Sequence, residues 1–308
     1  MKILVAGGGL FGREHLKTLT AIGGLELAVA EPREDTREKL HADFALADTD
    51  ADAFALVDRF RPDGIVIATP ADVHAPLGLA ALEKPIPVLV EKPVAPDAKT
   101  MRGLCDAVKA SRAFLLPGHI LRFSAEHRQL REVLASGRIG KLLQFTSRRY
   151  RDASHADRYR DIDPVLMTMI HDIDLALWFS GEPARPISVA RRPAGTPRSL
   201  TAACLETTSG VGWRLSTAWL HPGMDCSPDI VEIVGSDGSA ELTAGSHIEI
   251  FGRDHERIPV DTKDDPLRTE LECFLDCIRS GVLKPPVTPE DALDGLVVAE
   301  AIVGSLRS

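Results

Sequence analysis

Closely spaced glycines near the start of the chain form the first pattern that suggests a specific chemistry. Gly7, Gly9 and Gly12 fit G-x-G-x-x-G directly after a short apolar run, and Leu10 and Phe11 lie between them, where a helix is predicted to begin. In this context the first glycine permits a tight turn, the second lets a pyrophosphate approach the backbone, and the third lets helix and strand pack closely. The helix N-terminus offers free N–H groups and its positive dipole end to phosphates. The segment therefore predicts a dinucleotide-binding turn.

An acidic residue follows at the distance where such a turn needs one. Glu31 lies 19 residues beyond Gly12, at the end of the second apolar run. A carboxylate there can accept hydrogen bonds from the adenosine ribose hydroxyls and repel a 2′-phosphate, which favours NAD. Arg33, two residues further on, could instead pair with that phosphate. NAD is therefore the predicted cofactor, with NADP as the alternative.

Three further segments combine residue types that handle protons and charge. Residues 69–74 read T-P-A-D-V-H, residues 91–93 read E-K-P, and residues 171–174 read H-D-I-D. Ligands of a doubly wound sheet bind beyond the carboxyl ends of its strands, and the first two segments follow predicted strands. His74 has two interpretations: it contributes to the cofactor site, or it only caps its helix and supports the loop.

The elements that must position these residues change character near residue 120. The first part alternates short apolar runs with helical periodicity, which predicts a doubly wound α/β domain. Its predicted strands are 2–6, 25–30, 64–68, 88–90 and 113–117, and its predicted helices are 11–22, 33–40, 51–60, 73–82 and 97–111.

The second part is dominated by consecutive strands with short turns, which favour an antiparallel or mixed sheet. Helices are predicted at 124–135 and 164–179, and strands at 184–191, 200–207, 212–221, 229–234, 240–243, 247–251 and 257–260. Helices at 266–280 and 289–305 close the chain. We predict an α/β protein with a Rossmann domain at 1–120 and an α+β substrate, catalytic and oligomerisation domain at 121–308. The last helix is a candidate to pack back on the first domain.

Composition narrows the classes of partner. The chain has 308 residues, and 36 basic against 45 acidic side chains give a net charge of −9. An acidic surface repels nucleic acid, and no apolar run approaches the length of a membrane span. The five cysteines are scattered and lack the spacing of a zinc site, so no metal is predicted. Free thiols imply a reducing compartment, and we expect a cytoplasmic protein.

These motifs together resemble the Gfo/Idh/MocA family, which includes glucose–fructose oxidoreductase and inositol dehydrogenase. The resemblance covers essentially the whole chain, from the glycine turn through E-K-P and H-D-I-D to the P-E-D-A-L segment of the last helix. It implies that Thr69, Pro70 and Glu91 contact the nicotinamide ribose region. It further implies that Lys92 reaches both cofactor and substrate hydroxyl, often from a cis Lys–Pro bond, and that His171 is the general acid/base. A lysine ammonium stabilises developing alkoxide charge, and an imidazole titrates near neutral pH.

One position departs from the family pattern. The family usually places an aspartate one helical turn before the catalytic histidine, and this chain has Met167 there. Asp163, just before the helix, is a candidate substitute. The leading hypothesis is an NAD(P)-dependent dehydrogenase or reductase acting on CH–OH groups of a sugar, polyol or related acid. The alternatives are a catalytically silent NAD(P)-binding sensor and an enzyme that uses tightly bound NAD for redox-assisted elimination or hydrolysis.

Substrate and assembly are less constrained by the sequence. The segment 148–160 carries five arginines and both tyrosines, among them Tyr150. Arginine suits carboxylates and phosphates, which points to an anionic sugar or acid, although aspartates in the same stretch fit a self-paired loop equally well. Arg122, Asp174 and Tyr150 are the candidate substrate residues. Two tryptophans on one strand predict either core or a subunit interface, and the family resemblance implies a homodimer or homotetramer formed through the sheet.

Overall fold

The computed structural model describes residues 1–223, 226–261, 263 and 265–307. The described chain divides into two compact units. Unit 1 contains Met1–Ile120 and Asp265–Leu293, and unit 2 contains the remainder. The first passage from one unit to the other falls after Ile120.

Unit 1 is built on a parallel sheet. Its strands are β1 (Lys2–Ala6), β2 (Glu26–Ala30), β3 (Asp48–Asp50), β4 (Gly64–Ile67), β5 (Val88–Val90) and β6 (Leu115–Pro117). They lie in the order β3-β2-β1-β4-β5-β6, and all neighbours run parallel. The crossover helices are α1 (Leu10–Ile22), α2 (Glu34–Asp43), α3 (Ala53–Phe60), α4 (Ala71–Glu83) and α5 (Ala98–Ala110). Because helices cover the sheet, the residues of β1, β2, β4 and β5 are apolar and buried, apart from the first residues of β1 and β2, Lys2 and Glu26.

The predicted Rossmann architecture is confirmed, with one strand added. The sequence did not predict β3, because Asp-Thr-Asp lacks the apolar run by which buried strands are recognised. This strand lies at the edge of the sheet and its residues are only half-buried, so it needs no such run.

Unit 2 contains an eight-stranded mixed sheet. Its strands are β7 (Leu142–Asp152), β8 (Ala184–Arg192), β9 (Leu200–Thr207), β10 (Gly212–His221), β11 (Ile230–Gly235), β12 (Gly238–Thr243), β13 (His247–Phe251) and β14 (His255–Pro259). The order is β14-β13-β12-β11-β7-β10-β9-β8, and only the central pair β7–β10 is parallel among these neighbours. The predicted large mixed sheet is confirmed.

The central strand β7 was missed by the sequence analysis, which placed an arginine-rich loop over part of it. Phe145, Ser147 and Arg149 are buried, and the residues between them face the other side of the sheet. Two of the three inward residues are polar, so the apolar alternation that identifies a half-buried strand is absent.

The helices of unit 2 are α6 (Ala125–Ala135), the short α7 (Ser154–Arg158) and α8 (Ile170–Ser180). The sequence predicted one helix over 164–179, but Val165–Met169 forms a π-helical segment directly before α8. The Trp219 indole N–H donates to Thr168 Oγ1 at 2.9 Å and ties this segment to β10. Trp213 and Trp219 are fully buried, so both belong to the core of unit 2.

The chain ends with α9 (Pro266–Ser280) and α10 (Pro289–Ser305). The sequence-based division placed all residues after 120 in the second domain, whereas Asp265–Leu293, with α9, lies in unit 1. The apolar side of α9 accounts for this return: the Phe274 ring packs edge-on against Phe114 at 5.7 Å, and Phe274 lies over Gly64, where a Cβ would not fit. The sequence makes α10 a candidate to pack back on the first domain. Only the part of α10 up to Leu293 belongs to unit 1. Across the described residues, no helix is both long and apolar enough to cross a membrane.

Candidate functional site

The glycine turn joins β1 to α1 in a conformation that only glycine allows. Gly7 has φ of 100°, and a Cβ there would overlap the carbonyl oxygen of Ala68. A Cβ on Gly12 would overlap the carbonyl oxygen of Gly7, so the helix packs directly on the turn. Gly9, by contrast, faces open space, with no atom within 4 Å of a Cβ placed on it. A ligand can therefore approach the backbone at Gly9.

The first turn of α1 is suited to an anion. Gly9 is its N-cap, and no side chain of the described residues caps the helix. The N–H groups at the helix start are thus not engaged by a capping side chain and, with the helix dipole, favour a phosphate. Leu10 and Phe11 are exposed at this end. The residues present fit the pyrophosphate of a dinucleotide.

Glu31, at the end of β2, borders the same turn. Its carboxylate accepts hydrogen bonds from the Gly8 N–H at 2.8 Å and from Arg33 Nε at 2.8 Å. Burial works against ionisation, but the hydrogen bonds from Arg33 and Gly8 outweigh it and lower the pKa of Glu31 below its ordinary value. Glu31 is therefore an ionised acceptor beside the glycine turn, while Arg33 is mostly exposed.

His74 connects the two loops that follow β4 and β5. Its Nε2 lies 2.8 Å from the carbonyl oxygen of Thr69, and its Nδ1 lies 2.9 Å from that of Pro93. Of the two interpretations, these contacts support the one in which His74 holds the loops. The Thr69 hydroxyl oxygen is buried with no hydrogen-bond partner among the described residues, so its hydrogen-bonding capacity is not used within them. Pro70, next to it, is exposed.

Glu91 and Lys92 lie at the carboxyl end of β5. One carboxylate oxygen of Glu91 lies 2.8 Å from His15 Nε2, and the other accepts the Lys92 backbone N–H at 3.3 Å. Burial raises the pKa of Glu91, but the hydrogen bond and charge of His15, with the Lys92 charge, outweigh it and lower the pKa overall. Lys92 is half-buried, and the Lys92–Pro93 bond is cis, as the family resemblance implied.

His171 belongs to unit 2, in the first turn of α8 directly after the π-helical segment, and it is half-buried. The acids that follow it are anchored to the protein. Asp172 accepts hydrogen bonds from Ser147 Oγ at 2.5 Å and from Arg149 Nη2 at 3.0 Å, although burial raises its pKa. Asp174 accepts Nη2 of Arg122 at 2.7 Å, in a pair that is almost completely buried.

The remaining candidate residues, Asp163 and Tyr150, each have neighbours in unit 2. Both carboxylate oxygens of Asp163 accept hydrogen bonds from the Arg191 guanidinium, at 2.8 and 2.6 Å, so Arg191 engages the proposed substitute for the missing aspartate. Tyr150 lies on the face of β7 opposite Arg149, with its ring 6.1 Å from that of His221. The substrate roles predicted for Arg122, Asp174 and Tyr150 stay predictions.

Two family models match this chain. One, described as an oxidoreductase family with an NAD-binding Rossmann fold, matches residues 1–119, and the GFO/IDH/MocA C-terminal domain matches residues 127–241. Inositol 2-dehydrogenase from Leifsonia xyli subsp. xyli is 31% identical across 100% of this chain and 93% of its own length. The chain belongs to the Gfo/Idh/MocA oxidoreductase family.

Solved structures of similar fold agree with this membership. An oxidoreductase from Agrobacterium radiobacter, in complex with NAD+, L-tartaric acid and magnesium, has a TM-score of 0.88 at 17% identity, covering 100% of this chain and 96% of its own. Myo-inositol 2-dehydrogenase from Lactobacillus plantarum has a TM-score of 0.87 at 19% identity, covering 100% and 97%. At these identities the likeness establishes the fold.

Membership in the Gfo/Idh/MocA family confirms the predicted resemblance, the oxidoreductase class and the NAD(P)-dependent dehydrogenase assignment, and the NAD-binding Rossmann domain confirms a nicotinamide dinucleotide as the cofactor. The structure brings the glycine turn together with Glu31, and the Thr69 loop together with the Glu91–Lys92 segment through His74. Within the described residues, no group of three or more His, Cys, Asp or Glu side chains is arranged to hold a metal ion.

Two buried residues of this family member were missed in the sequence. His15 lies on the covered side of α1 and pairs with Glu91, and Glu270 lies on the covered side of α9. For Glu270 a signal existed: it shares a helical face with Phe274 and Cys277, so it interrupts a stripe that is otherwise apolar. For His15 no comparable signal is present.

Proposed function

We propose that this enzyme transfers a hydride between NAD and a secondary alcohol or ketone of a polyol or sugar. The observation that carries the proposal is the set of groups at the carboxyl edge of the parallel sheet: the glycine turn, Glu31, the Thr69 hydroxyl and the Glu91–Lys92 segment. The relatives named inositol 2-dehydrogenase support the polyol class. Glu31, ionised beside the glycine turn, supports NAD over NADP.

The residues divide the work of alcohol oxidation. When bound, NAD supplies the hydride acceptor. We assign the Lys92 ammonium to stabilise the alkoxide charge that develops on the substrate oxygen, and the His171 imidazole to accept the hydroxyl proton. The electron pair of the C–H bond leaves as hydride while the O–H proton passes to the imidazole, so the alcohol becomes a ketone. Ketone reduction reverses both transfers.

The paired arginines favour an uncharged substrate. The anionic alternative depends on the arginine-rich segment, and three of its five arginines are paired with acids: Arg149 with Asp172 and Asp229, Arg151 with Asp229, and Arg160 with Asp157. Arginines already paired with carboxylates attract a second anion weakly. We therefore propose a neutral polyol rather than a sugar acid.

The experiment is a substrate screen with NAD+, in which myo-inositol and other cyclic and linear polyols are compared with L-tartrate and sugar acids. We expect steady formation of reduced nicotinamide with a neutral polyol, and a loss of about a thousandfold or more in kcat for Lys92→Ala and His171→Ala. NADH binding, followed by fluorescence titration, should remain in His171→Ala. Lys99→Ala, at an exposed lysine near the start of α5, serves as the control.

Other outcomes of this screen would contradict the proposal in distinct ways. Turnover that persists in both variants removes the roles of Lys92 and His171. Cofactor binding without turnover of any compound indicates the silent sensor that Met167 suggested. If the enzyme with its copurified NAD consumes a substrate while no reduced nicotinamide accumulates, the reaction is a redox-assisted elimination or hydrolysis. Preference for tartrate removes the neutral-substrate proposal alone.

We further propose that the chain forms a homo-oligomer through the face of the unit 2 sheet that α8 does not cover. Leu220 supports this, because it is an exposed leucine on β10 between inward-facing Trp219 and the end of the strand. Light scattering should give a dimer or tetramer mass for the native chain and a smaller mass for Leu220→Glu. A monomeric native chain would contradict the proposal.

A further inference from the structure

Glu270 is a carboxyl group in a place that does not suit a carboxylate. It is completely buried on α9, and neither of its oxygens has a hydrogen-bond partner among the described residues. Its neighbours along the covered face, Leu271 and Phe274, are apolar. An ionised carboxylate loses its hydration in such a place and gains no donor in return. The neutral acid bears a much smaller cost.

The charged group that acts on Glu270 is a second carboxyl, that of Glu91. Burial, and then the charge of Glu91, raise the pKa of Glu270 well above its ordinary value. The pKa of Glu91 moves the other way, because the His15 contact outweighs its own burial. Two acids whose surroundings drive their pKa values apart hold one proton between them over a wide range of pH.

The groups that act on this pair come from four elements. His15 faces Glu91 from α1, His74 acts from α4, Lys92 follows Glu91 after β5, and Cys273 lies on α9 near Glu270. The cationic and imidazole groups all lie on the side of Glu91. The proton of the pair therefore belongs on Glu270 and the negative charge on Glu91.

We propose that Glu270 is a neutral acid in the working enzyme, and that its lack of charge is a condition for the Glu91 carboxylate to stay ionised at the cofactor site. If Glu270 ionised, two buried carboxylates would repel each other, and Glu91 would have to move or take up a proton. The proposal rests on the placement of Glu91 at the nicotinamide end of the cofactor, which belongs to the proposed function. It does not depend on the substrate.

A spectroscopic experiment tests the protonation directly. Infrared spectra of the native enzyme at neutral pH should contain the carbonyl band of a protonated, buried carboxyl, and the band should shift on transfer to D₂O. Glu270→Gln should lose it. Glu272→Gln, on the same helix but half-exposed and paired with Arg268, should keep it. Absence of the band in the native enzyme would overturn the proposal, and this measurement needs no cofactor.

A binding experiment tests whether this lack of charge matters at the cofactor site. A glutamine is neutral at every pH, so Glu270→Gln should bind NAD+ and NADH at neutral pH within about twofold of the native affinity, with unchanged circular dichroism. At alkaline pH the native enzyme should lose affinity as Glu270 ionises, and Glu270→Gln should not. Loss of affinity at alkaline pH by both enzymes, or by neither, would overturn the proposal.

These readouts separate the proposal from the proposed function. Turnover is not measured, so failure to find a polyol substrate leaves both experiments valid. As a check on Glu91 itself, Glu91→Gln should weaken NAD+ relative to NADH by about tenfold, because a nearby negative charge favours the cationic oxidised nicotinamide. If that ratio is unchanged while the infrared band is present, the placement of Glu91 fails and the protonation of Glu270 stands.

Discussion

Two clusters of buried acids, one in each unit, differ in the groups that surround them. In unit 2 buried acids meet arginines: Asp172 and Asp229 both contact Arg149, and Asp174 contacts Arg122. In unit 1 the completely buried Glu270 has no arginine or lysine partner among the described residues and interacts with another acid, Glu91. Paired charges can be explained by the fold alone. An acid without a cationic partner, beside the loops proposed to bind the cofactor, requires a functional explanation.

The paired charges also explain the H-D-I-D segment. Asp172 fixes α8 to β7 through Ser147 and Arg149, and Asp174 fixes it to the segment before α6 through Arg122. His171 directly precedes Asp172 and lies three residues before Asp174 on the same helix. Its position is therefore set by two buried ion pairs. The acids of this motif anchor the helix that carries the histidine.

The largest expected effect comes from breaking the paired network. Arg149→Met leaves Asp172 and Asp229 without their shared partner, and we expect the free energy of unfolding to fall by about 3–5 kcal/mol. All three tryptophans of the chain, Trp178, Trp213 and Trp219, lie in unit 2, so their fluorescence during urea unfolding reports on that unit.

The neighbouring arginine provides the control for that measurement. Arg148→Met changes a residue on the opposite face of β7, whose cation lies over the Tyr150 ring, and should cost about 1 kcal/mol or less. Equal losses in the Arg148 and Arg149 variants would remove the distinction between an arginine paired with buried acids and an arginine on the other face of the same strand.

The second effect concerns the unpaired acid and depends on pH. Because the folded-state pKa of Glu270 is raised, its contribution to stability is complete below the ordinary glutamate pKa and is lost as pH rises towards the folded value. Glu270→Gln has no such loss. The free energy of unfolding of Glu270→Gln, relative to that of the native chain, should therefore increase by about 1.4 kcal/mol per pH unit above the ordinary glutamate pKa. Urea unfolding followed by circular dichroism at several pH values measures this, and parallel stability curves would contradict it.

The smallest effect is expected for a pair that water reaches. Arg191 and Asp163 are both partly exposed, and Arg191→Met should lower the free energy of unfolding by about 1 kcal/mol. The loss should shrink at high salt, unlike the loss in Arg149→Met. A loss comparable to that of Arg149→Met would show that burial is not what separates the two kinds of pair.

The sequence predicted the parts of the site that lie close together along the chain. The glycine turn, Glu31 and the E-K-P segment each follow a strand made of an apolar run, so their placement follows from the rules of parallel sheets. β7 could not be predicted in the same way, because its inward face carries Ser147 and Arg149, whose partners come from a helix more than 20 residues away.

The electrostatic effect of Glu91 on Glu270 was beyond such reasoning for a related cause. The two residues are far apart in the sequence, and only the return of α9 to unit 1 brings them together. Local periodicity identifies Glu270 as an acid on an apolar stripe but does not identify its partner. Similarly, the buried His15 was recognisable only once α1 had been placed on the sheet.

The return of α9 has a consequence for how the protein is made on the ribosome. A domain encoded at the start of a chain ordinarily folds while the rest is still being synthesised. Here Phe114 and the sheet surface at Gly64 are covered by Phe274, which emerges after most of the chain has been translated. The N-terminal unit must therefore wait with an uncovered apolar surface until that helix emerges. A nascent chain stalled before residue 265 should be the species that most needs a chaperone.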